Sequence, residues 1–176
     1  TRTFEPWMGQ AVAEQLHIAK RLAIALANRS LYLHFQPQVD MRTGELIGAE
    51  ALCRWWDEEL GEVSPGQFIP LAEERGMIVA LGTCVIDEAC RQLGDWQCQG
   101  LVLKGQLAIN IAADQFDDND LVSTLLTSCR LNGVAPEALS VEITESGIMT
   151  HPEDAIATTE ILRSHGMGLS IDDFGT

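Results

Sequence analysis

Apolar positions recur along this chain with two different periods, and the periods take turns. Residues 7–28 place Val12, Leu16, Ala19, Leu22, Ala23 and Leu26 at helical spacing, with Glu14, Lys20 and Arg21 elsewhere on the surface. That spacing predicts an amphipathic helix that docks on the domain. Asn28-Arg29-Ser30 ends it. The period then drops to two: Leu31–Gln36 sets Leu31, Leu33 and Phe35 against Tyr32, His34 and Gln36, as a half-buried strand does. A turn at Asp40–Glu45 with Gly44 leads to a second strand at Leu46–Leu52. Ser64-Pro65-Gly66-Gln67 combines a capping box with Pro at the first helical position and opens a helix. A longer helix over 78–98 carries Leu81, Val85, Ala89, Leu93 and Trp96 along one face. Gln106–Ile111 is a strand, Leu121–Leu131 a helix after the Asp117–Asp120 cap region, and Leu139–Thr144 a strand. Thr150-His151-Pro152-Glu153, another capping box, opens a helix that runs to His165 and stops at Gly166. Met167–Ile171 is the fifth strand.

Repeated strand-then-helix units predict an α/β fold with a parallel sheet and helices outside it. A closed barrel of this kind needs eight strands and roughly 250 residues, and this pattern supplies about five strands. The chain stops at Asp172-Asp173-Phe174-Gly175-Thr176, directly at a strand end, which would leave an open sheet edge. The expectation is therefore a fragment: a lead-in helix over residues 1–30, then an incomplete barrel over 31–176. An uncovered inward apolar face is expected with it, because strands of a parallel sheet are ordinarily buried on both sides.

Composition narrows the function classes. With 46% hydrophobic and 21% charged residues, the chain reads as globular. It has no apolar run approaching the ~20 residues that span a bilayer, and its first residues have no signal-peptide architecture. Net charge is −15, which repels nucleic-acid backbones and anionic membrane surfaces and leaves open a small anionic ligand held through a cation. Five cysteines, with no Cys-x-x-Cys and no His at zinc-ligand spacing, read as free thiols of a cytoplasmic protein, mostly small core residues. Membrane anchoring, if any, would lie outside this segment.

The chemistry sits in the strands. Glu50, Asn110, Glu142 and the pair Asp172 and Asp173 place oxygen-bearing groups in the late halves of four strands, where a buried carboxylate is costly unless paired or bound to a cation. In a β/α barrel those ends converge on one rim. Basic partners are scarce, with Arg54 the near one in sequence and Lys20 and Lys104 the only lysines. A shared Mg²⁺ or Mn²⁺, with Ca²⁺ as an alternative, suits such a set, and two adjacent aspartates suit a two-metal site. Singly, a strand-end Glu or Asp is more often a helix cap or surface group, and Asn110 alone reads as a backbone-bonding turn residue; four such positions on successive strands make the set. Trp55-Trp56, beside Asp57-Glu58-Glu59, reads as packing in a loop rather than as a base-stacking platform.

Six ordered motifs then add a resemblance. Glu50-Ala51-Leu52-Cys53-Arg54 matches the EAL-x-R signature of bacterial EAL-domain phosphodiesterases. Leu33-His34-Phe35-Gln36-Pro37-Gln38 and Ser64-Pro65-Gly66-Gln67-Phe68-Ile69-Pro70-Leu71-Ala72-Glu73-Glu74 flank it as in that family. Asn110-Ile111-Ala112, Glu142-Ile143-Thr144-Glu145-Ser146 and Ile171-Asp172-Asp173-Phe174-Gly175-Thr176 follow in order. The resemblance implies a TIM-type barrel whose first strand is antiparallel to the rest. It implies metal-dependent hydrolysis of cyclic di-GMP to linear pGpG by in-line attack of metal-activated water. By position, Glu50, Asn110, Glu142 and Asp172 resemble ligands of one metal, and Asp173 one leaning towards a second. Arg54 resembles a phosphate-contacting arginine and Gln36 a substrate-contacting glutamine. The family's lysine base would lie beyond Thr176, as would a later glutamate and glutamine. Ala112 departs from the usual Ser. Residues 1–30 resemble the helix that joins a GGDEF or sensory domain to an EAL domain, and EAL–EAL homodimers belong to the same set of implied partners. The rival reading is a catalytically degenerate module that binds cyclic di-GMP, or only a protein, without cleaving it.

Overall fold

The computed structural model describes residues 6–116, 120–144 and 152–172. Helix α1 (Pro6–Ala27) precedes strands β1 (Tyr32–Val39), β2 (Leu46–Asp57) and β3 (Gly61–Val63). Helices α2 (Pro65–Glu74) and α3 (Ile78–Cys98) lead to β4 (Gln106–Ile111), α4 (Leu121–Leu131) to β5 (Leu139–Thr144), and α5 (Pro152–Ser164) to β6 (Gly168–Asp172). Every predicted element is present among the described residues, and β3 is additional. The Thr150–Glu153 capping box and most of the Asp117–Asp120 cap region lie outside the described residues. At the other predicted box, Pro65 is at the helix start, but the Ser64 side chain makes no capping hydrogen bond.

The sheet order is β1-β2-β4-β5-β6, with β3 hung on the end of β2. β1 runs antiparallel to β2, while β2, β4, β5 and β6 are parallel. The architecture is thus an α/β half-barrel, open between β1 and β6, with the antiparallel first strand that the motifs implied.

Alternation along the strands decides what each face does. Ala49, Ala51, Cys53 and Trp55 of β2, Leu107, Ile109 and Ile111 of β4, and Leu139, Val141 and Ile143 of β5 are all buried in one core with Leu81, Val85, Ala89 and Leu93 of α3. Trp55 meets Phe68 of α2 edge to face, with ring centroids 5.8 Å apart, a contact worth about 0.5–1.5 kcal/mol beyond the area it buries. The opposite face carries Gln36, Gln38, Glu50, Gln106, Asn110, Ser140, Glu142 and Ser170, interspersed with Leu46, Gly48, Leu52, Ala108 and Gly168. This corrects the expectation of an inward apolar face. The strands alternate rather than reading as unbroken apolar runs, because the inward face carries the polar chemistry.

Two further corrections concern β2. It runs through Asp57 rather than stopping at Leu52, so Trp55 and Trp56 lie in a strand and not a loop. Trp55 is fully buried, whereas Trp56 is exposed. Asp57 closes the buried row, and a carboxylate there needs a partner. Arg21 of α1 supplies it: Nε donates to both carboxylate oxygens at 3.0 and 2.9 Å, and Nη1 reaches Glu59 at 2.8 Å. The backbone N–H groups of Glu59 and Leu60 also donate to Asp57, and His17 stands 3.4 Å from Glu59. α1 is thereby tied to the end of the strand that carries Glu50 and Arg54, while Ile18, Ala19, Leu22 and Ala25 bury its inner face.

Burial raises the Asp57 carboxyl's pKa, but the Arg21 hydrogen bond and the two backbone donors outweigh it and hold the group below its ordinary value. A carboxyl depressed in the folded state stabilises the fold above its unfolded pKa of about 3.9 and loses that contribution as pH falls through the lower folded value. The expected result is a wild-type melting temperature that falls as pH drops below about 4, with part of that slope absent in Asp57→Asn. Thermal unfolding of both proteins across pH 2–7 checks it, and identical pH slopes would refute it.

The five cysteines are free thiols: Cys53, Cys90 and Cys129 are buried, Cys84 half-buried and Cys98 exposed. Among the described residues, no helix is long and apolar enough to cross a membrane.

Candidate functional site

Parallel pairing brings the oxygen-bearing residues of successive strands to one face. Asn110 of β4 and Glu142 of β5 are register partners, and the Asn110 Nδ2 donates to Glu50 Oε1 at 2.8 Å. Glu142 Oε1 accepts a hydrogen bond from Ser170 Oγ of β6 at 3.1 Å. Glu50 and Glu142 are half-buried and Asn110 exposed, so the three groups form a cluster open to ligand. Glu50 lies in the first half of the long β2, not in its late half as expected. It is nevertheless next to last in the β2–β4 ladder, which spans Gly48–Ala51, so it stands where the barrel part of the strand ends.

The antiparallel β1 adds its own residue to this face. Gln36 lies directly opposite Glu50, and directly opposed residues share a face. Arg54, four residues beyond Glu50 on the same face, is half-buried, and its Nη1 is held by the Cys53 carbonyl at 2.8 Å. Asp172 ends β6 opposite Thr144, one step further along than Glu142. Its backbone thus places it at the same rim, while its side chain, and all of Asp173, lie outside the described residues.

A cavity of about 240 Å³ opens beside the cluster, between β2, α2, α3 and the turn after β4. Arg54, Asn110 and Gln115 contribute to its walls, with Pro65, Ile69 and Glu73 of α2. Cys53 lies on the core side of Arg54, where burial pushes its thiol up to about 12.

The donors are carboxylate and carboxamide oxygens, hard ligands that fit Mg²⁺ or Mn²⁺ rather than zinc. Among the described residues, no three His, Cys, Asp or Glu side chains gather into a cation cage. What gathers is two carboxylates and the Asn110 carboxamide, from three neighbouring strands.

The EAL domain family model matches residues 19–176. The chain belongs to the EAL domain family. Its relatives include the oxygen sensor protein DosP of Escherichia coli (strain K12), 44% identical over 98% of this chain and 22% of DosP. The bifunctional diguanylate cyclase/cyclic di-GMP phosphodiesterase MucR of Pseudomonas aeruginosa is 41% identical over 98% of this chain and 25% of MucR. The chain thus spans about a quarter of the length of these curated relatives. The solved PaMucR phosphodiesterase in its c-di-GMP complex superposes with a TM-score of 0.84 at 41% identity, covering 91% of this chain and 64% of that one. The half-barrel is therefore the EAL fold.

Two polar neighbours of this cluster are not among the sequence-predicted residues. Ser170 supports Glu142 from the next strand, and Gln115 closes the turn that follows Asn110. A mid-helix glycine, Gly82, was the available signal for the second.

Proposed function

We propose that this chain is part of an EAL domain that, when complete, hydrolyses cyclic di-GMP to linear pGpG with Mg²⁺ or Mn²⁺, these 176 residues alone being inactive. One observation carries the reading: Glu50, Asn110 and Glu142 come from three neighbouring strands onto one face, with Asn110 hydrogen-bonded to Glu50 and register-paired with Glu142. Support comes from MucR and its cyclic di-GMP complex, which share this part of the fold. Glu50, Asn110, Glu142 and Asp172 would hold the first cation, with Asp173 turned to a second. When bound, the cations would lower the pKa of water and offset the phosphodiester's charge.

The chain's own groups have separate tasks. Arg54, fixed through its Cys53 contact, offers a planar guanidinium to a phosphate oxygen pair. Gln36, across from Glu50, offers an uncharged amide to the substrate without adding negative charge beside the phosphate. The half-buried carboxylates concentrate negative charge that selects a cation and excludes a bare anion. We also read residues 1–30 as the lead-in helix to an EAL domain over 31–176. Upstream, a GGDEF or sensory domain would suit the tandem type that MucR's bifunctional name describes, in the cytoplasm, with pairing of two EAL domains as a further contact.

The test is incubation of the complete domain, its barrel closed by further strands, with cyclic di-GMP and Mn²⁺ or Mg²⁺, with nucleotides resolved by chromatography. Release of pGpG that stops on chelation is the expected result. Cyclic di-GMP binding without pGpG would refute the enzyme and assign a receptor.

A further inference from the structure

The position of Asn110 depends on how β4 ends. Two residues past it, the Ala112 N–H donates to the side-chain Oε1 of Gln115 at 3.0 Å, and the Gln115 N–H returns to the Ala112 carbonyl at 3.1 Å. These reciprocal bonds clamp the turn at Ala113–Gln115, the short 3₁₀ segment that follows β4. Gln115 is one of the few buried polar residues among those described, at 4% exposure. It lies in the wall of the cavity beside Arg54 and Asn110.

Helix α3 is shaped to receive it. A Cβ at Gly82 would stand 1.9 Å from Gln115 Nε2, 2.5 Å from Cδ and 2.7 Å from Oε1. The carboxamide therefore occupies space beside the helix that any other residue at position 82 would fill. Glycine inside a helix is destabilising relative to alanine. Its presence in the middle of α3 is explained by the room Gln115 needs.

We propose that Gln115 is a positioning residue for the cation ligands. By holding the Ala112 amide against α3 at Gly82, it fixes where β4 leaves the sheet, and so where the Asn110 carboxamide meets Glu50. The proposal rests on the cation-binding reading for its chemistry, while its geometric half stands on the hydrogen bonds alone. A neutral amide suits the task. Leucine or methionine offers no acceptor to Ala112, and asparagine is a methylene too short for the same reach. Partners one shell behind a metal ligand typically change metal affinity by 10–100-fold when removed.

The test uses two readouts, Mn²⁺ binding followed by the EPR signal of the free ion and the ¹⁵N resonances of the Asn110 side-chain amide in asparagine-labelled protein. Gln115→Met keeps the length and removes the acceptor; it is expected to weaken Mn²⁺ binding about tenfold and shift the Asn110 resonances. Gly82→Ala, which pushes the amide from the other side, should change both in the same direction. Gln115→Glu, which keeps an acceptor oxygen, should restore most of the Asn110 shift. Leu22→Ala in α1 is the control for a general loss of stability and should leave both readouts unchanged. Unaltered Mn²⁺ affinity and Asn110 resonances in Gln115→Met overturn the proposal, as does an equal effect from Leu22→Ala. If the wild type binds no Mn²⁺, the cation reading falls, and the Asn110 resonances alone decide the role of Gln115.

Discussion

In the complete domain, replacing Glu50 with Gln is expected to lower Mg²⁺-supported cleavage of cyclic di-GMP by about 100-fold or more while leaving the fold intact. The substitution keeps the side chain's shape and its Oε1, which can still accept the hydrogen bond from Asn110 Nδ2. It removes the negative charge that holds a cation. Loss of a partner behind a metal ligand already costs 10–100-fold, so loss of a ligand's charge should lower turnover by about 100-fold or more. Stability should move little or rise, since one of two half-buried carboxylates on the same face becomes neutral. The measurements are pGpG release over a Mg²⁺ titration and the thermal melt of both proteins. Normal turnover at saturating Mg²⁺ would remove Glu50 from the site, and a collapsed melt would assign it a structural role instead.

The elements were legible where a period could repeat. α3 was read at its observed bounds, and β4, β5 and α4 likewise, because each shows several turns or pleats of one pattern. β2 was cut short because its buried row ends on Asp57. A carboxylate reads as a stop signal in sequence. It becomes tolerable inside because Arg21, 36 positions away in the chain, lies against it and the Glu59 and Leu60 amides donate to it. β3, at three residues, is too short to show any period.

The same distinction runs through the site. Glu50, Asn110 and Glu142 stood out because each interrupts an otherwise apolar strand. That Gln36 stands opposite Glu50 follows only from the antiparallel register of β1, which alternation within one strand does not contain. Gln115 left even less trace: one amide in a short turn has no periodic signature, and its meaning comes from a helix some thirty positions earlier. The inward face departs from the general burial of parallel strands on both sides because it carries Glu50, Asn110, Glu142 and their polar neighbours.

The second large effect concerns these 176 residues on their own, which are expected to release no pGpG above background even at saturating Mn²⁺. The sheet is open between β1 and β6, so the cluster of Glu50, Asn110 and Glu142 has neighbours on one side of the rim and solvent on the other. A catalytic site works through groups fixed around the reacting atom, and a misplacement of about 1 Å can cost a hundredfold. Here the chain matches 64% of the PaMucR phosphodiesterase chain, and the groups of the remaining third have no counterpart on this rim. Because the open inward face carries the polar groups, the liability to aggregate is concentrated at the open edges of β1 and β6, where Ile171 is half exposed and unpaired backbone can recruit another strand. Further strands or a partner surface closing that edge would supply both stability and the missing half of the site. The chain should therefore elute as a mixture of monomer and larger species and stay silent in the assay, with the PaMucR phosphodiesterase as the positive control. Robust chelator-sensitive turnover by a monodisperse preparation would show that the open rim suffices, and the account of the site as half of a ring would then be wrong.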